Sequence, residues 1–215
     1  MNLKIIKYSL FLFGITVGYA QDIYVETSLT TASFEEFKND EGVNTLENTY
    51  SKPVELGLGL GVILDVSKNQ RLKWDFGVNY NKYEINTSFS SGSNSIPTQY
   101  NLSYVSFKTG PYFSVIDDSR FKLQLHVHNS FDYLIFGSNQ YKDVYEDLTA
   151  GKNFRKLQSN YHYGATFELV LSNSKSLYLS YDSKNSIKDV IGAEQSYQLN
   201  ATSILIGFRF KLNRL

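Results

Sequence analysis

The feature that most constrains this chain is a period-two alternation of apolar and polar residues that recurs from residue 22 to residue 212. In residues 55–64 the even positions are all apolar, and the odd positions are mostly glycine or charged. Residues 72–80 repeat the pattern, again with the apolar residues at even positions. Such alternation is typical of a strand with one apolar and one polar face. A soluble sheet could contain one such strand, but recurrence along the whole chain favours a closed barrel.

The alternation predicts eight strands, joined by connections of two lengths. The strands are predicted at residues 22–33, 53–66, 71–87, 99–116, 120–136, 158–171, 176–186 and 196–212. Short turns are predicted at residues 67–70, 117–119 and 172–175, and longer loops at 34–52, 88–98, 137–157 and 187–195. Short turns at one end and long loops at the other are typical of outer-membrane barrels. We therefore expect an all-β, eight-stranded, antiparallel up-and-down transmembrane β-barrel, with both termini and the short turns on the periplasmic side.

Residues 1–20 are predicted to be a secretory signal peptide. Lys4 and Lys7 form a basic region, residues 8–17 are uncharged and mostly apolar, and Gly18 and Ala20 are the small residues of a cleavage site. The apolar stretch is shorter than the roughly 20 residues that a membrane-spanning helix needs. Cleavage would leave a barrel domain at residues 21–215, located in the outer membrane of a Gram-negative bacterium. The alternative interpretation is a membrane-anchoring helix.

Composition excludes several classes of protein. The chain has no cysteine, which excludes disulfides, thiolate metal sites and a lipid-anchored lipoprotein. Loss of Lys4 and Lys7 with the signal would leave 19 basic and 21 acidic residues, so nucleic acid is a poor candidate partner. The mean hydropathy of −0.29 argues against a helical membrane protein, whereas a barrel exposes only alternate residues to lipid.

The aromatic residues cluster near the predicted strand ends, as aromatic girdles would. Those predicted near the long loops are Tyr80, Tyr83, Tyr100, Tyr104, Phe131, Tyr133, Tyr161, Tyr163 and Tyr197. Those predicted near the short turns are Trp74, Phe113, Phe121, Phe208 and Phe210. An alternative explanation is that aromatic residues favour strands in general.

The last predicted strand is amphipathic and rich in phenylalanine, with Ile204, Ile206, Phe208, Phe210 and Leu212 on one face. It resembles the terminal strand that the barrel-assembly machinery recognises. The expected partners are accordingly outer-membrane lipid and that machinery during biogenesis, together with an extracellular ligand at the long loops.

Three segments resemble the eight-stranded outer-membrane barrel proteins that are common in Bacteroidetes. They are the signal end Tyr19-Ala20-Gln21, the strand Leu56-Gly57-Leu58-Gly59-Leu60-Gly61, and the run Phe107-Lys108-Thr109-Gly110-Pro111-Tyr112-Phe113-Ser114. The resemblance covers the whole mature chain as a pattern. It implies the location and the fold, and little about activity, because one fold hosts many functions.

The polar face of the strands should form the barrel interior. Its predicted members are Glu55, Lys73, Asp75, Lys108, Lys122, Gln124, His126, His128, Asp132, His162, Glu168, Asp182, Arg209 and Lys211. An eight-stranded barrel is just wide enough for side chains to fill its interior. Since buried charges must be paired, we expect a packed network of ion pairs and hydrogen bonds.

Within that interior, His126 and His128 point the same way on one strand, and His162 lies on the next. A His-x-His pair on a strand can chelate zinc, with Asp132 or Glu168 completing the ligand shell. The alternative is that these histidines belong to the ion-pair network. No cofactor is predicted.

The segment His128-Asn129-Ser130 is similar to the His-x-Ser pairing of outer-membrane lipid A deacylases. In those enzymes the site faces lipid, whereas the alternation places His128 inward and no well-placed acid stands out. We therefore predict a non-enzymatic barrel with a structural, surface-binding or adhesive role through its outer loops. The alternatives are a narrow channel or small-solute pore, a lipid-modifying outer-membrane enzyme, and a soluble lipocalin-like barrel that binds a ligand in an apolar interior.

Overall fold

The computed structural model describes residues 22–38, 43–67, 71–91, 94–141, 144–150, 156–187 and 196–212. The predicted signal peptide at residues 1–20 lies outside the described residues.

The described residues form ten strands and no helix. The strands are β1 (Asp22–Lys38), β2 (Leu46–Ser51), β3 (Val54–Asp65), β4 (Leu72–Ser91), β5 (Asn94–Asp117), β6 (Phe121–Tyr141), β7 (Val144–Asp147), β8 (Leu157–Ser172), β9 (Lys175–Ser186) and β10 (Ser196–Lys211). Within the described ranges there is no membrane-spanning helix.

Eight of these strands close into a ring in the order β1-β3-β4-β5-β6-β8-β9-β10. All neighbours are antiparallel, and β1 closes the ring by pairing with β10 from Asp22↔Lys211 to Lys38↔Ser196. The remaining two strands are short branches near one end of the ring, where β2 pairs with β4 and β7 pairs with β6. The prediction of an eight-stranded antiparallel barrel is confirmed.

The connections agree with the prediction at one end of the barrel and differ at the other. The links from Asp117 to Phe121 and from Ser172 to Lys175 are short and lie at the end where β1 begins and β10 ends. The predicted loop at residues 88–98 is wrong, because β4 and β5 stay paired as far as Ser91↔Asn94. The predicted loops at 34–52 and 137–157 also contain strand. These segments lack apolar alternation, but backbone hydrogen bonds pair polar strands as well.

The exterior carries a belt of exposed apolar side chains at the short-turn end of the barrel. Its members include Val25, Leu29, Leu58, Leu60, Leu72, Trp74, Phe107, Phe113, Leu125, Val127, Phe131, Phe167, Leu179, Ile204, Ile206 and Phe208. A water-soluble protein rarely exposes a contiguous apolar surface of this extent, whereas lipid solvates it. The belt therefore marks the membrane-spanning part of the barrel, and it excludes the soluble lipocalin-like alternative.

Above the belt, β4, β9 and β10 exchange their polar and apolar faces, whereas β6 keeps Ile135 and Phe136 exposed. On β4 the outward positions change from Trp74, Val78 and Tyr80 to Lys82 and Glu84. The inward positions of β4 change in the opposite sense, from Lys73, Asp75, Asn79 and Asn81 to the buried Tyr83 and Ile85. On β10 and β9 the outward row Ile204↔Tyr181 is followed by Thr202↔Ser183 and then Asn200↔Asn185. On these three strands the outer part of the barrel is therefore built like a water-soluble protein.

The inward apolar residues of this outer part form one cluster, which we call the outer plug. It consists of Ala32, Phe34, Tyr83, Ile85, Tyr100, Leu102, Tyr104, Leu134, Leu148, Tyr197, Leu199 and Ala201. The ring of Phe34 packs edge-on against Tyr100 and Tyr197, with centroids 5.1 and 5.4 Å apart. The hydroxyls of Tyr104 and Tyr197 share a hydrogen bond of 3.0 Å.

The outer plug corrects the predicted outer girdle. Four of its predicted members, Tyr83, Tyr100, Tyr104 and Tyr197, are buried inside the barrel. The other five predicted near the long loops face outward; they are Tyr80, Phe131, Tyr133, Tyr161 and Tyr163. The aromatic residues predicted near the short turns also face outward; they are Trp74, Phe113, Phe121, Phe208 and Phe210. The misplaced tyrosines lie above the membrane belt, where the interior of the barrel is apolar.

Ring closure predicts a specific cross-link between the first and last strands. Val25 is paired with Phe208 on the lipid-facing side, and paired Cβ atoms lie about 4.5–5.5 Å apart, close to the spacing of a disulfide. Since the chain has no native cysteine, the Val25→Cys/Phe208→Cys double variant should form a disulfide under mild oxidation. Denaturing electrophoresis after boiling would detect it as a thiol-sensitive shift. The Val25→Cys/Ile204→Cys variant is the control and should not cross-link; equal cross-linking of both would contradict the register.

Candidate functional site

The interior below the outer plug is filled with charged and polar side chains in two layers. The mouth layer, at the short-turn end, consists of Asp22, Asp65, Lys73, Gln124, Glu168 and Arg209. The middle layer, between the mouth layer and the outer plug, consists of Tyr24, Glu26, Asp75, Lys108, His126, His128, Ser130, Asp132, His162, Asp182 and Lys184.

Arg209 is the centre of the mouth layer. Its guanidinium is ion-paired with Glu168 and donates a 2.6 Å hydrogen bond to Gln124. It also lies over the rings of Tyr112 and Tyr178, at 5.2 and 4.7 Å from their centroids, which is the geometry of a cation–π contact. This arrangement fixes the arginine across the lumen.

In the middle layer, Lys108 connects two carboxylates. Its Nζ lies 3.2 Å from Glu26 Oε1 and 3.8 Å from Asp75 Oδ2. Glu26 also accepts hydrogen bonds from Tyr178, at 2.7 Å, and Asn79, at 2.9 Å. Lys184 forms a second centre, because it pairs with Asp132 and donates to Tyr83. Each of these charges therefore has an opposite charge beside it, as burial requires.

The three histidines come from neighbouring strands and converge. His126 and His128 alternate inward on β6, and His162 on β8 is the register partner of His128. Gly164 on β8 is paired with both His126 and Asp182. A Cβ atom at Gly164 would lie 2.6 Å from His126 Nε2 and would clash with the Tyr181 carbonyl oxygen. The glycine thus allows the His126 ring to reach Asp182 across β8.

Asp182 is the carboxylate on which the histidines converge. Its Oδ1 lies 3.1 Å from His126 Nε2, and its Oδ2 lies 2.8 Å from His162 Nδ1. The other nitrogen of His162 is 2.9 Å from Ser130 Oγ, and Ser130 donates to Asp132. A Ser130–His162–Asp182 chain of hydrogen bonds results.

The structure brings together only part of the cluster considered from the sequence. His126, His128 and His162 meet, and Asp182 joins them. The carboxylates suggested to complete a ligand shell are paired elsewhere, Asp132 with Lys184 and Glu168 with Arg209. Strand spacing alone gives no register between distant strands, so the sequence did not show which acid faces the histidines.

The predicted interior face holds for most of its members. Lys211 is an exception, since it is exposed at the end of β10, while Glu55 and Lys122 are half-buried and pair with Lys82 and Asp117. Asp22, Glu26 and Lys184 were missed. The alternation could have found all three, because each shares the inward face of its strand with residues that were included or with buried tyrosines.

The Ser130–His162–Asp182 chain has the order of groups used in acyl transfer, but it lacks room for a substrate. Ser130, His162 and Asp182 line a cavity of about 30 Å³, roughly the volume of one water molecule. A nucleophile must have space beside it for the group it attacks. His128 and Ser130 are both inward and buried, so the lipid-facing site of the deacylase hypothesis is not formed.

The wider opening lies at the mouth layer. A cavity of about 350 Å³ is lined there by acidic and basic residues, including Asp117, Lys122, Glu168, Lys175 and Arg209. Among the described residues, the mouth and middle layers separate this vestibule from the outer plug.

No known protein-family profile matches the chain, and no curated protein matches it. Solved structures are similar to it. The outer membrane protein OprG from Pseudomonas aeruginosa is similar with a TM-score of 0.50 at 10% identity, over 91% of this chain and 98% of that chain. The outer membrane protease OmpT from Escherichia coli also gives a TM-score of 0.50, at 7% identity over 90% and 97% of the two chains. Neisserial surface protein A gives 0.49, at 13% identity over 88% and 97%.

At these identities the likeness concerns the fold alone. The fold and the apolar exterior belt together define the chain as an outer-membrane β-barrel of the Gram-negative type. Since one of the similar structures is a protease, the fold by itself does not decide between a catalytic and a non-catalytic role.

Removing one partner of a buried ion pair should lower the free energy of unfolding much more than removing both partners. Lys184→Met would leave Asp132 charged and unpaired, and should lower the free energy of unfolding by about 3–5 kcal/mol. The Lys184→Met/Asp132→Leu double variant should recover most of that loss. Urea unfolding in micelles, followed by the fluorescence of Trp74, would measure both. Lys82→Met removes the more exposed pair with Glu55 and should cost less than about 1 kcal/mol. If Lys184→Met lowered the free energy of unfolding as little as Lys82→Met, the Lys184–Asp132 pair would not be a buried, stabilised pair as described.

Proposed function

We propose that the chain is a closed, non-enzymatic outer-membrane barrel that displays a rigid β-extension at the cell surface for binding. The observation that carries this proposal is the exchange of polar and apolar faces above the membrane belt. An outer part with an apolar core and a polar exterior on β4, β9 and β10 is suited to stand in water as a folded structure, rather than as a set of mobile loops.

Closure of the barrel is supported by two successive barriers. The mouth and middle layers fill the lumen with paired charges, and the outer plug fills it with packed aromatic rings. An ion crossing the barrel would have to break buried ion pairs and then enter an apolar region without hydrogen-bonding partners. Both steps are costly, which argues against the narrow-channel alternative.

The enclosed position of Ser130, His162 and Asp182 supports a non-enzymatic role. The cavity beside them has about the volume of one water molecule. A lipid substrate would need these groups on the exterior, and they are buried in the lumen. Their hydrogen bonds to one another are those of a buried interior network.

The hairpin of β6 and β7 is the part of the extension best suited to bind a partner. It exposes Tyr141, Val144 and Tyr145 near its tip, with Tyr141 paired to Val144. Exposed tyrosines with apolar neighbours are enriched at protein interfaces. Leu148 anchors the hairpin, because its side chain is buried in the outer plug.

The turn that follows β7 is held by hydrogen bonds. The Thr149 hydroxyl and backbone amide donate to Asp147 and hold the pKa of that carboxyl below its usual value.

Closure predicts that the purified barrel does not conduct. In planar lipid bilayers the native protein should show no stepwise ion current, and proteoliposomes containing it should not swell in sugars. The folded state of each sample would be checked by its altered electrophoretic migration without boiling. A steady, protein-dependent current from the native barrel would overturn the closed-barrel proposal and favour a channel.

The binding role predicts that attachment depends on the hairpin tip. Cells that produce the chain should attach to immobilised matrix proteins, glycans or polystyrene more than cells that lack it. The Tyr141→Ser/Val144→Ser/Tyr145→Ser variant should lose most of this gain at equal surface amount. Gln140→Ser, on the same hairpin, is the matched control and should keep it. Equal attachment of the cells that produce the native chain, the triple variant and Gln140→Ser would show that the hairpin tip is not part of the binding surface.

A further inference from the structure

Three side chains of the middle layer offer a converging set of metal ligands. One ligand atom each from His126, His128 and Asp182 lies within 4.8 Å of the others. The rings of His126 and His128 are stacked, with centroids 4.9 Å apart. In a tetrahedral zinc site with Zn–N distances of about 2.0–2.1 Å, neighbouring ligand atoms are about 3.3 Å apart. Small rotations of the two imidazoles would therefore complete the set.

His128 gives an independent indication of a missing partner. It is only 1% exposed, and neither of its ring nitrogens forms a hydrogen bond with any described residue. Its Nε2 lies 3.5 Å from Oδ2 of Asp75. A buried polar group without a hydrogen bond is costly and usually marks a water or an ion. Asp75 Oδ1, which is also buried, lacks a hydrogen-bond partner among the described residues.

The charges of the middle layer point to a cation. Among the described residues, this layer holds the carboxylates of Glu26, Asp75, Asp132 and Asp182 and the ammonium groups of Lys108 and Lys184. The carboxylates therefore outnumber the ammonium groups by two. Asp182 contacts the ring nitrogens of His126 and His162, and among the described residues it forms no ion pair with a lysine or arginine. One divalent cation beside Asp182 would balance the layer, as buried charge requires.

We propose that the lumen binds one divalent transition-metal ion through His126, His128 and Asp182. Two imidazoles and one carboxylate, without a thiolate, suit Zn²⁺ or Cu²⁺ better than Mg²⁺ or Ca²⁺. His162 is a positioning residue, because it holds Asp182 Oδ2 at 2.8 Å and is itself held by Ser130. The proposal does not depend on the surface-binding role, and its test uses no attachment or conductance.

The first test is metal binding by the native barrel, purified in micelles without a histidine tag. All three histidines of the chain lie in this layer, so no other imidazole competes. Titration of Zn²⁺ against a chromophoric chelator should give one ion per chain. The electron paramagnetic resonance spectrum of the Cu²⁺ form should show coupling to two nitrogens. Failure of the folded native barrel to bind Zn²⁺ stoichiometrically would overturn the proposal.

The second test separates ligands from general electrostatics. Asp182→Asn and His128→Gln should each weaken Zn²⁺ binding by more than about 100-fold, and His162→Gln by about 10–100-fold. Asp132→Asn removes the same charge from the same layer without removing a ligand, because Asp132 is paired with Lys184, and it should weaken Zn²⁺ binding far less than Asp182→Asn.

Folding of each variant would be checked by its migration without boiling. If Asp132→Asn does not fold, the Cu²⁺ spectrum of the native barrel decides alone. Equal affinity of the native and His126→Asn/His128→Asn barrels, or a spectrum without nitrogen coupling, would contradict the site.

Discussion

The hydrogen-bond ladder between β1 and β10 is the constraint on which the rest of this structure depends. It closes the sheet from Asp22↔Lys211 to Lys38↔Ser196, so that the ring of eight strands has no free edge. Lipid cannot hydrogen-bond to a backbone edge, and only a helix or a closed barrel avoids that cost. Closure also fixes which residues of each strand point inward. At every height of the barrel, the outward side chains must then suit the surrounding medium and the inward side chains must suit their neighbours.

Two solvents along one strand explain the exchange of faces. Within the belt, Val78 and Tyr80 meet lipid, and the interior is left to charged groups such as Asp75 and Lys108 that pair with one another. Above the belt, Lys82 and Glu84 meet water, and Tyr83 and Ile85 can bury their rings and methyl groups inside. Burial of apolar surface stabilises the outer part as in a soluble protein. The surface-binding proposal follows from the part above the belt, and the metal-site proposal follows from the charged interior within the belt. The closed-barrel proposal follows from both.

The alternation predicted the strands of the ring, their direction and most of the inward residues, because period two is imposed by the pleat itself. It failed above the belt, where the barrel is surrounded by water and no longer by lipid. For this reason it assigned Tyr83, Tyr100, Tyr104 and Tyr197 to a girdle, although they lie inside the barrel. It also failed for residues 88–98, whose polar strands carry no apolar signal. The partners of His126 and Asp132 could not be predicted, because the register between β6 and β9 is set through β8 and its Gly164.

The most direct test of the exchange of faces is a spin-label scan of the outward positions of β4. Single cysteines at residues 74, 76, 78, 80, 82, 84 and 86 of the reconstituted barrel would be labelled, and their collisions with oxygen and with a water-soluble nickel complex compared. We expect oxygen-dominated collisions up to Tyr80 and nickel-dominated collisions from Lys82 onward. Oxygen-dominated collisions that continue to residue 86 would place the outer part of β4 within lipid and contradict the exchange of faces.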